Sequence, residues 1–270
     1  MTRVIDAWSQ QPNELFMRQP WLRPLLRWTR QEDLAALPVD VTLKAMDDAG
    51  VEKSLLCAWV GPYGALIDND ETAAHVRAHP DRFAGVASVD LTRPVDAVRE
   101  LRRAVTELGM VALRVVPWLW NLPPDDRRYY PLLQTCVELG IPFCTQIGHT
   151  GPLCPSEPGR PIPYLETVLL EFPELVVIGG HVGAPWIDEV LFLAMKFPNF
   201  YIDTSAYAAH RLPPALVDYM RESGRTRVLF GTNWPMLSAE RCLERLDELG
   251  LDAEARELYL GGNSARVFGV

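Results

Sequence analysis

The chain lacks any apolar run near the ~20 residues that a bilayer-spanning helix needs, which argues against a helical membrane protein. Its opening, MTRVIDAWSQ, enters an apolar strand directly and has no signal-type hydrophobic region. Long basic stretches are missing and the formal net charge is -9. Nucleic acid and anionic membranes are therefore not expected as partners. Five cysteines, Cys57, Cys136, Cys144, Cys154 and Cys242, form no C-x-x-C pair and no zinc-finger spacing. An odd, scattered set reads as reduced thiols, so a cytoplasmic location is expected. There is no G-x-S-x-G turn to activate a serine, no glycine-rich phosphate turn after the first strand, and no low-complexity segment or linker.

What is present is a globular composition, 48% hydrophobic and 23% charged over 270 residues, suited to one large domain spanning 1–270. Helical stretches repeatedly end in Gly or Pro and are followed by a short apolar strand. "DDAGVEKSLLCAW", "HPDRFAGVASVD", "ELGMVALRVVP", "ELGIPFCTQIG", "EFPELVVIGGH", "KFPNFYIDTSA" and "SGRTRVLFGTN" are such joints. Gly supplies the left-handed helix cap and Pro blocks continuation. With the opening RVIDAW they make eight strands. Amphipathic helices are predicted near 39–49, 69–79, 94–108, 129–139, 163–172, 186–197, 213–223 and 238–249. Nearly continuous apolar strands imply a parallel sheet covered on both faces. An open doubly wound sheet would alternate in the same way, but eight units without a phosphate turn favour a closed (β/α)8 TIM barrel. Insertions at about 11–37, 117–128 and 148–162 each follow a strand's C-terminal end, so in a barrel they gather over the active face. The Pro- and Gly-rich 148–162 segment is expected to be an ordered lid.

The pieces "VID", "HPDRFAGVASVD", "IPF", "VVIGGHVGAPW", "FPNFYIDTS", "VLFGTNWP" and "GGNSARVFG" occur in an order that runs through essentially the whole chain. In this the sequence resembles the amidohydrolase-related branch of the amidohydrolase superfamily, which includes aminocarboxymuconate-semialdehyde decarboxylase and several lactonases. The resemblance implies the amidohydrolase-type barrel and a metal held by an H-x-H after the first strand, a His ending the fifth and an Asp ending the eighth. Here Trp8 and Gln10 stand in the places of the two histidines, Gln146 in that of the fifth-strand His, and the eighth strand ends in Gly231-Thr232-Asn233. Indole cannot ligate a metal, and neutral Gln and Asn are poor zinc ligands. Neither a catalytic metal nor a cofactor is expected. His149-Thr150-Gly151 repeats the family's H-T-G triplet three residues late, so His149 is the other reading of the fifth-strand position.

His181 in "GGHVGAPW" matches the family's acid/base or second-sphere His, and imidazole titrates near neutral pH. His149 is the second proton-handling candidate. His75 and His79, on a peripheral helix, read as surface groups, while His210 in the loop after the seventh strand could reach the mouth or stay outside it. Asp6 and Asp203 end strands and could serve as base or orient His181, or simply cap the barrel end. Arg114 is the only charge inside the fourth strand; a buried Arg needs a partner, either Asp6 or a substrate carboxylate. Trp8, Trp59, Trp118, Trp120, Trp186 and Trp234 fall at or just past strand ends, leaving Trp21 and Trp28 in the first insertion. Indoles at the mouth suit a ring-containing ligand, or plug the space a metal would fill. The expected substrate-binding set is Arg114, Gln10, Gln146, Asn233, Trp8, Trp59, Trp118 and Trp234. The resulting expectation is a metal-independent enzyme acting on a small carboxylate-bearing, lactone or aromatic compound, with lactonase-like hydrolysis first. Decarboxylase, isomerase or cyclase chemistry, or a catalytically silent ligand-binding homologue, are the alternatives. A small-molecule substrate is the expected partner, and self-association into a homo-oligomer stays open.

Overall fold

A computed structural model describes residues 3–270. Eight parallel strands form one sheet in sequential order: β1 (Ile5–Ser9), β2 (Lys53–Cys57), β3 (Phe83–Ala87), β4 (Ala112–Val115), β5 (Phe143–Gln146), β6 (Val177–Gly180), β7 (Phe200–Asp203) and β8 (Val228–Leu229). The last strand is short, and the ring closes beyond it. Ala7 N–H donates to Phe230 O at 2.9 Å, Asn233 N–H to Trp8 O at 2.7 Å, and Ser9 bridges Trp234 in parallel. This is the (β/α)8 barrel. Its helices fall where Gly and Pro punctuation put them, for example Val39–Ala49, Asn69–Ala78, Pro94–Thr106 and Ile187–Lys196. Among the described residues no helix is long and apolar enough to cross a membrane.

The period-two alternation of strands divides the apolar residues into two layers. Ile5, Ala7, Leu55, Cys57, Ala84, Val86, Ala112, Cys144, Ile178 and Leu229 fill the barrel's interior, with Phe268 packed against them. A larger cluster, including Leu101, Leu133, Val168, Val190 and Leu216, lies between sheet and helices. A third cluster was not legible as such in the sequence. It joins Phe16, Leu22 and Leu26 of the first insertion to Trp59, Ile67, Val116, Trp118 and Met236. Trp59 and Ile67 come from an antiparallel hairpin, Trp59–Gly61 with Gly64–Ile67, that extends past β2. The first insertion thus carries an apolar face of its own and packs onto residues just past the strand ends.

The segment 148–162, expected as a lid, is pinned at both ends. Gly148 lies so close to Gly183 and Ala184 that a Cβ there would sit 2.6 Å from Ala184 O, and its φ of +85° suits only glycine. Gly148 N–H bonds Gly159 O at 2.9 Å, while the Arg160 guanidinium pairs with Glu189 at 2.6 Å.

Asp6 departs from expectation. It points away from the mouth into the layer between sheet and helices, sharing a small space with Thr42, Ala45 and Met46 of helix Val39–Ala49. Its carboxylate accepts from Trp8 N–H (3.1 Å), Thr232 N–H (2.9 Å), Thr232 Oγ1 (2.6 Å) and Ser54 Oγ (3.2 Å). Burial pushes its pKa up to about 6, against these hydrogen bonds. Asp6 therefore stitches β1 to β2 and to the segment after β8, and is spent on closure rather than on orienting His181. Orphaning buried donors costs roughly 1–3 kcal/mol each. Asp6→Ala should lower the urea-unfolding free energy by at least about that amount; an unchanged midpoint and slope would show that closure does not depend on the carboxylate.

Candidate active site

Arg114 follows Ala112 on β4 by the strand's period of two, so its side chain enters the interior above the apolar layer. It is 1% exposed. The guanidinium lies between two indoles, 4.4 Å from the Trp59 ring centroid and 5.0 Å from that of Trp8. Nη2 donates to Ala58 O at 3.0 Å. Nε and Nη1 have no partner, and neither has the adjoining Trp8 Nε1. Among the described residues no carboxylate reaches ion-pair distance of Arg114. The internal pair with Asp6 does not form. Burial pulls the Arg114 pKa down, but a guanidinium stays charged in proteins, so a cation and three unpaired donors belong to touching side chains.

The residues at the expected ligand positions hold this arrangement. A register shift in β1 between Asp6 and Ser9 accompanies the entry of Trp8 into the interior beside Ala7. Gly180 leaves room for it, since a Cβ there would lie 2.6 Å from the Trp8 ring. Gln10 Oε1 accepts from Trp59 Nε1 at 3.1 Å, and its Nε2 donates to Trp234 O. Gln146 Oε1 accepts from Trp118 Nε1 at 2.7 Å. Both glutamines thus fix indoles. Gln146 is the last residue of β5, where strand counting puts it; His149 stands beyond, its N–H and Nδ1 both on Ala184 O at 2.7 and 3.1 Å. Asn233 has a φ of +67° and belongs to the closure through its backbone.

Two further placements differ from expectation. Trp234 is turned outward, donating from Nε1 to Thr42 Oγ1 at 3.0 Å, so it seals the helix layer and does not line the mouth. Trp21, set apart in the first insertion, stacks on Trp59 at 5.9 Å and meets Trp118 edge-on at 5.0 Å. Only the aromatic content of the insertion hinted at this. Trp118 keeps its expected place and lies 6.1 Å from Trp59.

His181 sits just past β6 with a φ of +72°, and Val182 follows at +66°. Two successive non-glycine residues in the left-handed region are strained; the Val182 N–H bond to Asp203 O, 3.1 Å, holds them. The His181 ring is only part-buried by exposed area, yet it packs against Trp8 at 5.2 Å. Its Nδ1 is 2.7 Å from Ser205 Oγ, and Ser205 donates to Asp203 Oδ1 through its hydroxyl and, at 2.8 Å, its N–H. Asp203 Oδ2 is buried without a partner. Burial, with help from the nearby Arg114 and His149, pulls the His181 pKa down to about 3. Burial pushes that of Asp203 up to about 7. At neutral pH His181 is therefore a neutral imidazole, and Asp203 exchanges its proton.

Residues 27–270 match the sequence profile of the Amidohydrolase family. The chain is 27% identical over 293 aligned residues to a gamma-resorcylate decarboxylase of Rhodococcus jostii, covering 85% of this chain and 87% of that one. In structure it resembles an uncharacterized TIM-barrel protein of Bordetella bronchiseptica, with a TM-score of 0.86, 26% identity, and coverage of 99% and 98%. It also resembles a dihydroxybenzoic acid decarboxylase of a Polaromonas species crystallised with manganese and 2-nitroresorcinol, with a TM-score of 0.75, 24% identity, and coverage of 100% and 97%.

The donors at this mouth do not suit a divalent ion. Among the described residues no three His, Cys, Asp or Glu side chains gather as a metal-binding group. Gln10 and Gln146 are committed to indoles, one oxygen of Asp203 and one nitrogen of His181 to Ser205, and a fixed guanidinium repels a second cation. Protein purified without chelator is expected to contain far less than one zinc or manganese per chain by elemental analysis. A stoichiometric ion retained through gel filtration would overturn that expectation.

Proposed function

Because the chain belongs to the Amidohydrolase family, we propose that it is a metal-independent lyase that removes carbon dioxide from a small aromatic carboxylate. The observation that carries this reading is the buried, unpaired guanidinium of Arg114 between two indole faces. A buried cation without a counter-charge is costly, and an anionic ligand with acceptor oxygens removes that cost. Indole walls suit a flat ring beside the anion. The named relatives, decarboxylases of resorcylate and dihydroxybenzoate, act on compounds of this shape.

Hydrolysis, placed first from the sequence, gives way to decarboxylation. A hydrolase without a metal needs a base strong enough to activate water. An imidazole whose pKa lies at about 3 is a weak base that stays neutral near pH 7. Protonating an electron-rich ring carbon needs a proton donor instead, and the neutral His181 ring carries one N–H to give. His181 would deliver a proton to the carbon bearing the carboxylate; the carbon–carboxylate bond then breaks, its electron pair restores the aromatic ring, and CO2 departs. Arg114 and Trp8 Nε1 would hold an oxyanion that stays on the ring. An ion pair to the departing carboxylate would stabilise the ground state and slow its loss.

The test is CO2 release from 2,6-dihydroxybenzoate and related hydroxybenzoates, run beside a panel of lactones and aryl esters. Decarboxylation is expected and lactone turnover is not; the reverse pattern would sink the proposal. Charge-assisted hydrogen bonds contribute roughly 1.5–3 kcal/mol, so Arg114→Met should weaken substrate binding roughly 10- to 100-fold. Because the lost charge was unpaired, the same variant should keep or gain thermal stability. His181→Ala should reduce turnover by roughly 10²–10⁴-fold.

A further inference from the structure

We propose that Ser205 is a positioning residue that passes a proton between Asp203 and Nδ1 of His181, so that His181 acts as acid or base without ever holding two protons. The chemical role rests on the lyase reading above; the proton path does not. Ser205 is fully buried, with its Oγ 2.7 Å from His181 Nδ1 and hydrogen-bonded to Asp203 Oδ1. The other carboxylate oxygen is buried without a partner, and Gly231 packs so closely on it that a Cβ would collide. A proton on Asp203 therefore has one hydrogen-bonded way out, through Ser205. The loop is fixed by Ala206, whose φ is +67° and whose N–H bonds Thr232 O at 3.1 Å.

The two protonation states of Asp203 select the two tautomers of His181. With Asp203 protonated, its O–H donates to Ser205 Oγ, Ser205 donates to Nδ1, and the His181 proton is on Nε2. With Asp203 ionised, Ser205 donates to the carboxylate and accepts from Nδ1–H, which leaves Nε2 bare. In the acid step, Nε2 gives its proton to the ring carbon while Ser205 protonates Nδ1 and Asp203 reprotonates Ser205. Asp203 ends as a carboxylate and His181 as the other neutral tautomer. A proton from water then returns to Nε2, and the Nδ1 proton goes back through Ser205 to Asp203. One proton is consumed for each carboxylate lost.

The groups that influence Asp203 are Asp6, Arg114, the thiols of Cys57, Cys144 and Cys242, and the Tyr259 hydroxyl. Burial pushes the thiols and the phenol upward, Cys57 to about 11, so they stay neutral while Asp203 titrates at about 7. His181 is influenced by Arg114 and His149, both of which disfavour imidazolium. The raised Asp203 pKa means that the Nε2–H form exists below about pH 7 and is lost as pH rises through it.

The test is nitrogen-15 NMR of histidine-labelled protein without any substrate. His181 is expected to pass from the Nε2–H to the Nδ1–H tautomer as pH rises through about 7, with no imidazolium signal. Ser205→Ala should abolish the switch and Ser205→Thr should keep it. On substrate, Ser205→Ala should lower kcat by roughly 10²-fold with KM little changed, and lose the limb of the pH profile that Asp203 sets. A wild-type His181 whose tautomer ignores pH, or an unaltered switch in Ser205→Ala, would overturn the relay. A normal switch in a protein that decarboxylates nothing would leave the relay standing and refute the lyase reading alone.

Discussion

The mouth of this barrel is organised around one unpaired charge. Arg114 is held in the interior by the Ala58 carbonyl and two indole faces, with no carboxylate among the described residues to neutralise it. Cation–π contact with a desolvated cation is worth about 2 kcal/mol or more, well short of the cost of burying an ion. The remainder must come from the fold. Its requirements spread outward: Trp59 must keep its face on the guanidinium, so Gln10 holds its N–H; Trp8 must enter the interior, so β6 carries Gly180 beneath its ring. Trp118, gripped by Gln146, and Trp21 from the first insertion extend the aromatic surface.

This arrangement gives Gln10, Gln146 and Trp8 a role of their own at the mouth. A divalent ion and a guanidinium solve the same electrostatic problem, stabilising an oxyanion in a site shielded from water. They need opposite surroundings. A metal needs several anionic or imidazole donors converging on one point, whereas a guanidinium needs planar faces and acceptors at its edges. Gln10 and Gln146 serve the second requirement and would serve the first poorly.

Periodicity made the scaffold legible. Punctuation by Gly and Pro located the eight strands, and Arg114 stood out as the one charge inside the fourth. Period-two alternation fails within β1, where the register shift between Asp6 and Ser9 brings Trp8 into the interior beside Ala7, and that shift has no signature in residue type. Asp6 itself obeys the alternation: with Ile5 and Ala7 facing inward it faces the helices, away from the mouth. Trp234 was misplaced for a related reason: its backbone closes the barrel against Ser9, and the side chain is directed to Thr42. The third apolar cluster was hidden because its members are scattered from Phe16 to Met236 and meet only through the fold. Ser205 was visible as a neighbour of Asp203, but a serine two residues past a strand carries no mark of what it touches.

The chemistry of the site rests on two environments that move two pKa values in opposite directions. The same lack of water that drives His181 down to about 3 drives Asp203 up to about 7, because burial penalises whichever form is charged. Arg114 adds to the first shift, since it repels an imidazolium. It also opposes the second, though from beyond ion-pair distance. The result inverts the usual arrangement of an ionised aspartate beside a protonatable histidine. Here the carboxyl group can store the proton at neutral pH and the imidazole can only pass it on. Holding a proton in a buried acid keeps His181 uncharged beside a fixed guanidinium, where an imidazolium would be a second unpaired cation. A neutral relay is thus the form of proton transfer that this site can support while Arg114 stays free for an anion.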